Sequence, residues 1–105
     1  MLLVNPLREK YGCDPRVYRG VEFYLTCYAC PEQYDAYYEG NMVGYVRLRW
    51  GRLTATYPDV GGKLVYEANI GDDGWQGCFT DNEEECLHLV QIAEALKKEV
   101  LLMSP

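Results

Sequence analysis

Serine and histidine are almost missing from this 105-residue chain: Ser104 is the single serine and His88 the single histidine. A Ser-His-Asp hydrolase would have to fold that serine back from the end of the chain, so this class is set aside. No apolar run approaches the ~20 residues that cross a bilayer. MLLV, ahead of Asn5 and Pro6, is too short for the apolar region of a signal peptide. A cytoplasmic setting without membrane contact is the expectation. Basic residues are absent from 71–86, GDDGWQGCFTDNEEEC, which holds Asp72, Asp73, Asp81, Glu83, Glu84 and Glu85. Residues 1–70 carry eight basic and eight acidic side chains and 87–105 two of each, so the whole formal charge of −6 arises in this segment. Phosphate backbones need cationic neutralisation, which excludes direct nucleic-acid binding by the acidic segment and favours a basic protein surface. An alternating Asp-x-Asp-x-Asp-Gly loop for calcium is also missing.

What is present is tyrosine: ten, against two tryptophans and two phenylalanines. Tyrosine joins apolar area to a hydroxyl that wants a partner, which suits half-buried sheet faces and interfaces. At 12.1 kDa and 49% hydrophobic residues the chain has room for one domain with one core. Pro6, Gly12 and Pro15 interrupt any long element, so residues 1–20 read as an N-terminal arm and 21–105 as a single α+β domain. From Val21 the polarity alternates at the strand period, with Val21, Phe23, Leu25 and Cys27 on one face. Residues 31–39 fit either a helix opened by Pro31 or a strand; the tyrosines and the clean strand that follows favour a hairpin turning at Gly40-Asn41. Val46, Leu48 and Trp50 should then face inward, and Gly51-Arg52 should turn into Leu53, Ala55 and Tyr57. A last strand is marked by Leu64, Tyr66, Ala68 and Ile70. Connections this short force antiparallel neighbours. Thr80 and Glu83 suggest a capping box, and Cys86, Leu89, Ala93, Leu96 and Val100 recur at helical spacing. The predicted fold is a four- to five-stranded antiparallel meander with one C-terminal helix packed on one face.

Cys27-Tyr-Ala-Cys30 is the one metal-like spacing. On a continuous strand the two cysteines would lie ~10 Å apart on opposite faces. Shared ligation therefore requires a tight turn before Pro31. A second pair would have to come from Cys78 with Cys86 or His88, yet residues two apart on a helix do not face each other. Free thiols and no cofactor are the expectation, with a structural zinc on Cys27, Cys30, Cys78 and Cys86 as the alternative. A Cys78–His88 dyad competes with a plain helix histidine beside the core stripe, and no catalytic set is assigned.

Two surfaces remain. Asp72, Asp73, Trp75, Phe79, Asp81, Glu83 and Glu84 combine carboxylates with aromatic anchors and form the first candidate partner-binding set. The outward sheet face carries Tyr24, Tyr37, Tyr45, Arg47, Arg49 and Arg52, which could stack and pair with a small anionic ligand such as a nucleotide. A second copy of the chain is an open alternative partner.

The hairpin EGNMVGYVRLRWG resembles the central hairpin of the GNAT acetyltransferases, the family related to aminoglycoside acetylation. That family's coenzyme A loop, Arg/Gln-x-x-Gly-x-Gly/Ala before a helix, has no counterpart; the nearest stretch, Gly71-Asp-Asp-Gly74, would repel a pyrophosphate. The resemblance implies local topology and, at most, a degenerate acyltransferase. As a compact, acidic, tyrosine-rich chain, the sequence also resembles in general type the small phage and mobile-element inhibitors of host defence, anti-CRISPR proteins among them. The function these observations favour is a non-enzymatic protein-binding module. It would engage a basic, nucleic-acid-binding site of its partner through the acidic segment.

Overall fold

The computed structural model describes residues 6–27, 32–70, 79 and 81–103. A short helix α1 (Pro6–Tyr11) leads into six strands: β1 (Arg16–Tyr18), β2 (Val21–Cys27), β3 (Glu32–Tyr38), β4 (Asn41–Arg49), β5 (Arg52–Tyr57) and β6 (Lys63–Asn69). The chain then forms the long helix α2 (Asn82–Met103). The strands make one sheet in sequential order, every neighbouring pair antiparallel. The fold is therefore the α+β meander with a covering helix that the alternation predicts. The extra strand is β1, which lies with α1 inside the stretch read as an arm.

Three of the hairpins turn in the same way. Arg19-Gly20, Glu39-Gly40 and Trp50-Gly51 each hold two successive residues at positive φ, at 53° and 83°, 52° and 82°, and 56° and 71°. Left-handed backbone at both central residues is the two-residue turn whose twist matches that of the strands, and glycine in second place removes half its steric cost. The turns thus lie one residue earlier than Gly40-Asn41 and Gly51-Arg52. The shift takes Trp50 out of the inward set: it sits at the turn, 57% exposed.

Alternation fills the inner face with Val21 and Phe23 of β2, Tyr34 and Ala36 of β3, Val46 and Leu48 of β4, and Leu53 and Ala55 of β5. Leu89, Ile92, Ala93 and Leu96 of α2 close over them. Two of the three register shifts in the described sheet change which side chains reach the core. One between Ala36 and Tyr37 admits Val43 to the core; another between Ala55 and Thr56 pairs Thr56 with Leu64 and turns Leu64 outward, against the simple alternation. An inserted residue changes which face the following side chains take.

Helix α2 touches both edges of the sheet at the same levels. On one flank Glu85 pairs with Arg16, and Lys97 donates to the Arg19 carbonyl at 2.9 Å. On the other flank His88 meets Tyr66 and Glu99 pairs with Lys63 at 2.9 Å. Six flat strands would set their edges ~24 Å apart, more than twice the ~10 Å diameter of a helix. The sheet is therefore curled round α2. The buried stripe begins at Glu85, not Cys86, which is exposed. The cap is Asp81: its carboxylate accepts from Glu84 N at 2.8 Å and its carbonyl from Glu85 N at 3.2 Å. Thr80 lies outside the described residues. Among the described residues no helix is long and apolar enough to cross a membrane.

Candidate functional site

The convex face of the sheet is divided in two. Over β2 and β3 it is occupied by α1, whose Tyr11 ring stacks on Tyr24 at 4.9 Å and meets Tyr37 edge-on at 6.1 Å. The Tyr11 hydroxyl donates to the Asp35 carboxylate and lies 3.0 Å from the Tyr37 hydroxyl. Burial, then the hydrogen bonds to Asp35 and Tyr37, hold the Tyr11 phenol proton well above its ordinary range. Tyr24 and Tyr37 are buried as a result. Both point outward as the alternation requires, but α1 takes them out of the ligand face to which they were assigned.

The other half, over β4 and β5, is open. Arg47, Arg49, Trp50, Arg52 and Thr54 line a groove of about 390 Å³. Strand geometry assembles it: Arg47 and Arg49 are two apart on the outer side of β4, Arg47 lies opposite Thr54, and Arg49 lies directly opposite Arg52. Like charges facing each other across an antiparallel pair destabilise it. Among the described residues, Arg52 alone of the three has an acidic partner, an ion pair with Glu67 on β6. The Arg49 guanidinium lies 5.5 Å from the Trp50 ring centroid. Arg47 Nε is buried with no hydrogen-bond partner among the described residues. Tyr45, beside Arg47, is half-buried; desolvation raises its phenol pKa, partly countered by Arg47. Three guanidiniums around an indole, in a chain of net charge −6, form a site suited to a small anion.

The acidic candidate set is described only in part. Asp72, Asp73 and Trp75 lie outside the described residues. Phe79 packs against the core, stacks on His88 at 6.1 Å and donates its N–H to Glu32 at 3.0 Å. Asp81 serves as the helix cap, while Glu83 is exposed and Glu84 half-buried in the first turn. Glu85 is buried against Arg16, whose guanidinium lies 5.5 Å from the Tyr34 ring centroid. Desolvation raises the Glu85 carboxyl above its ordinary value, Arg16 opposing and Glu32 adding to the shift. A carboxyl with a raised folded pKa contributes stability when protonated and loses it as pH rises through that value. Glu85→Gln is therefore expected to flatten the fall in stability above about pH 4.5 without weakening the fold at pH 7. Urea unfolding at pH 5 and 7 checks this; a variant weaker at pH 7 would mean that the Arg16 pair outweighs desolvation.

The described residues contain no group of three metal-ligating side chains. Cys30 and Cys78 fall outside them, Cys27 ends β2, and Cys13 and Cys86 are free thiols. His88 is half-buried, with its Nδ1 2.7 Å from the Tyr66 hydroxyl, and burial pushes its pKa down. Cys78, the other member of the candidate dyad, lies outside the described residues. The stretch 39–51 compared above with an acetyltransferase hairpin spans β4 and the turns on either side of it, and the Gly71–Gly74 stretch lies outside the described residues. No match to this chain is found among protein-family profiles, curated proteins or solved structures.

Proposed function

We propose that this protein is a non-enzymatic binding module that holds a small anionic ligand in the Arg47–Arg49–Arg52 groove. The observation that carries this reading is the direct opposition of Arg49 and Arg52 at the end of a hairpin, with Arg47 alongside. The opposition of Arg49 and Arg52 costs the strand pair stability, whereas an anion between the guanidiniums would relieve their repulsion and accept charge-assisted hydrogen bonds from them. The excess negative charge of the whole chain favours a small ligand over a long polyanion, which would be repelled beyond the groove.

Calorimetric titration of the full chain with inorganic tripolyphosphate tests the proposal. Binding is expected, weakening as salt rises. Arg47→Ala and Arg49→Ala should each reduce affinity by roughly ten-fold or more, the effect of losing one hydrogen bond to a charged group. Undiminished affinity in both variants, or no binding by the unaltered protein, would overturn it.

A second reading retains a basic protein partner, such as the nucleic-acid-binding site of an enzyme, on the acidic segment. It is favoured by Asp81 and Glu83, exposed at the start of α2. It ranks lower because Phe79 and Asp81 already have roles inside the fold.

A further inference from the structure

We infer that the ligand of this groove is a nucleoside polyphosphate, its base against Trp50 and its phosphate chain running along β4 to Arg47. The inference rests on the reading of the groove as an anion site and adds what the rest of the ligand must be.

Trp50 has no role in the core. It is 57% exposed and occupies a turn position with φ of 56°, a conformation that suits Asn, Asp or Gly. The two equivalent turns place Arg19 and Glu39 there, both polar. The third places an indole there, exposed beside the Arg49 guanidinium. With the Arg49 guanidinium against it, Trp50 forms a cationic, π-rich platform of the kind on which bases stack.

The opposite end is set by Arg47. Its buried Nε has no partner among the described residues although its side chain lines the groove, and Thr54 across the strand pair adds a hydroxyl. Arg47 and Arg49 are two residues apart, ~7 Å along β4 at 3.3 Å per residue, and Trp50 follows in the turn beyond the strand's end. An isolated phosphate cannot touch both ends; a base joined through its sugar to two or three phosphates can. A volume of about 390 Å³ lies in the range of small-molecule sites.

Titrations with ATP, tripolyphosphate, adenosine and a single-stranded oligonucleotide decide the assignment. ATP is expected to bind roughly ten-fold tighter than tripolyphosphate, the contribution of one base–aromatic stack, with adenosine weakest. Trp50→Asn, a residue suited to the left-handed turn, should abolish the advantage of ATP, so that ATP and tripolyphosphate bind alike. Arg47→Ala should weaken both. Equal binding of ATP and tripolyphosphate would remove the nucleotide assignment and leave the anion site standing. Failure of both to bind would remove the two together. Preference for the oligonucleotide over ATP would replace the small ligand by a polymer.

Discussion

Arg49→Glu is expected to reduce tripolyphosphate affinity by more than 100-fold while leaving thermal stability close to that of the unaltered protein. Charge reversal puts a carboxylate where the anion should sit. Loss of a charge-assisted contact, about 1.5–3 kcal/mol, then combines with direct repulsion. The same change converts an unfavourable Arg49–Arg52 opposition into an ion pair, a gain of about 0.2–1 kcal/mol across an antiparallel pair. Losing the exposed cation–π contact with Trp50 offsets about 0.5–1 kcal/mol of that gain. Functional residues often sit where the fold would be better served by something else, and this variant reads both sides of that conflict. Calorimetry and a thermal melt on the same sample suffice. Lowered stability with intact binding would mean that the arginine pair serves the hairpin and not a ligand.

The second large effect lies in the core. Gly44 sits on the inner side of β4, opposite Ala36, where a Cβ would come within 2.7 and 2.8 Å of the two Leu96 methyl groups and 3.0 Å of the Thr56 carbonyl oxygen. Leu96 is fully buried, so its side chain cannot swing into solvent. Gly44→Val is expected to cost about 3 kcal/mol or more, the upper end of overpacking effects. Leu96→Ala should cost about 2–5 kcal/mol through lost contacts and a cavity. The double variant should be less destabilised than the sum of the two, because the space vacated by Leu96 receives the new side chain. It should still fall short of the unaltered protein, since the contact with the Thr56 carbonyl persists. Urea unfolding gives all three values. Strict additivity would show that Gly44 is required by its backbone contact with Thr56 and not by the seat of α2.

The hairpins show what could be read before the structure and what could not. Alternation in YVRLR separated Val46 and Leu48 from Arg47 and Arg49, because successive strand side chains take opposite faces whatever surrounds them. The turns were read one residue late. Had glycine been assigned to the second turn position, where the two-residue geometry favours it, Arg49 would have been set opposite Arg52 from sequence. That signal was present. Leu64 gave no such warning, because a bulge is set by how two strands settle together and not by either strand alone.

Glu85 was equally illegible. A helical stripe drawn through Cys86 and one drawn through Glu85 differ by a single residue, and preference for an apolar side chain selects the cysteine. What decides otherwise is Arg16 on β1, brought against α2 only when the sheet curls. Tyr24 and Tyr37 tell the same story on the convex face. Their direction was readable, but their burial depends on Tyr11, which reaches them from 13 and 26 residues away. A period shows which way a side chain points and not what later covers it.

By itself, then, the sequence determined the antiparallel meander, the covering helix and the concentration of acid around the start of that helix, and it favoured a strand over a helix for residues 31–39. Each follows from short-range rules: a two-residue period, connections too short for a crossover, a stripe at helical spacing. Only the tertiary structure decided that β1 joins the sheet, that α1 closes one half of its outer face, and that the arginines of the other half converge on a groove beside an exposed indole. Those outcomes depend on contacts between residues far apart in the chain, whose energies no local pattern contains.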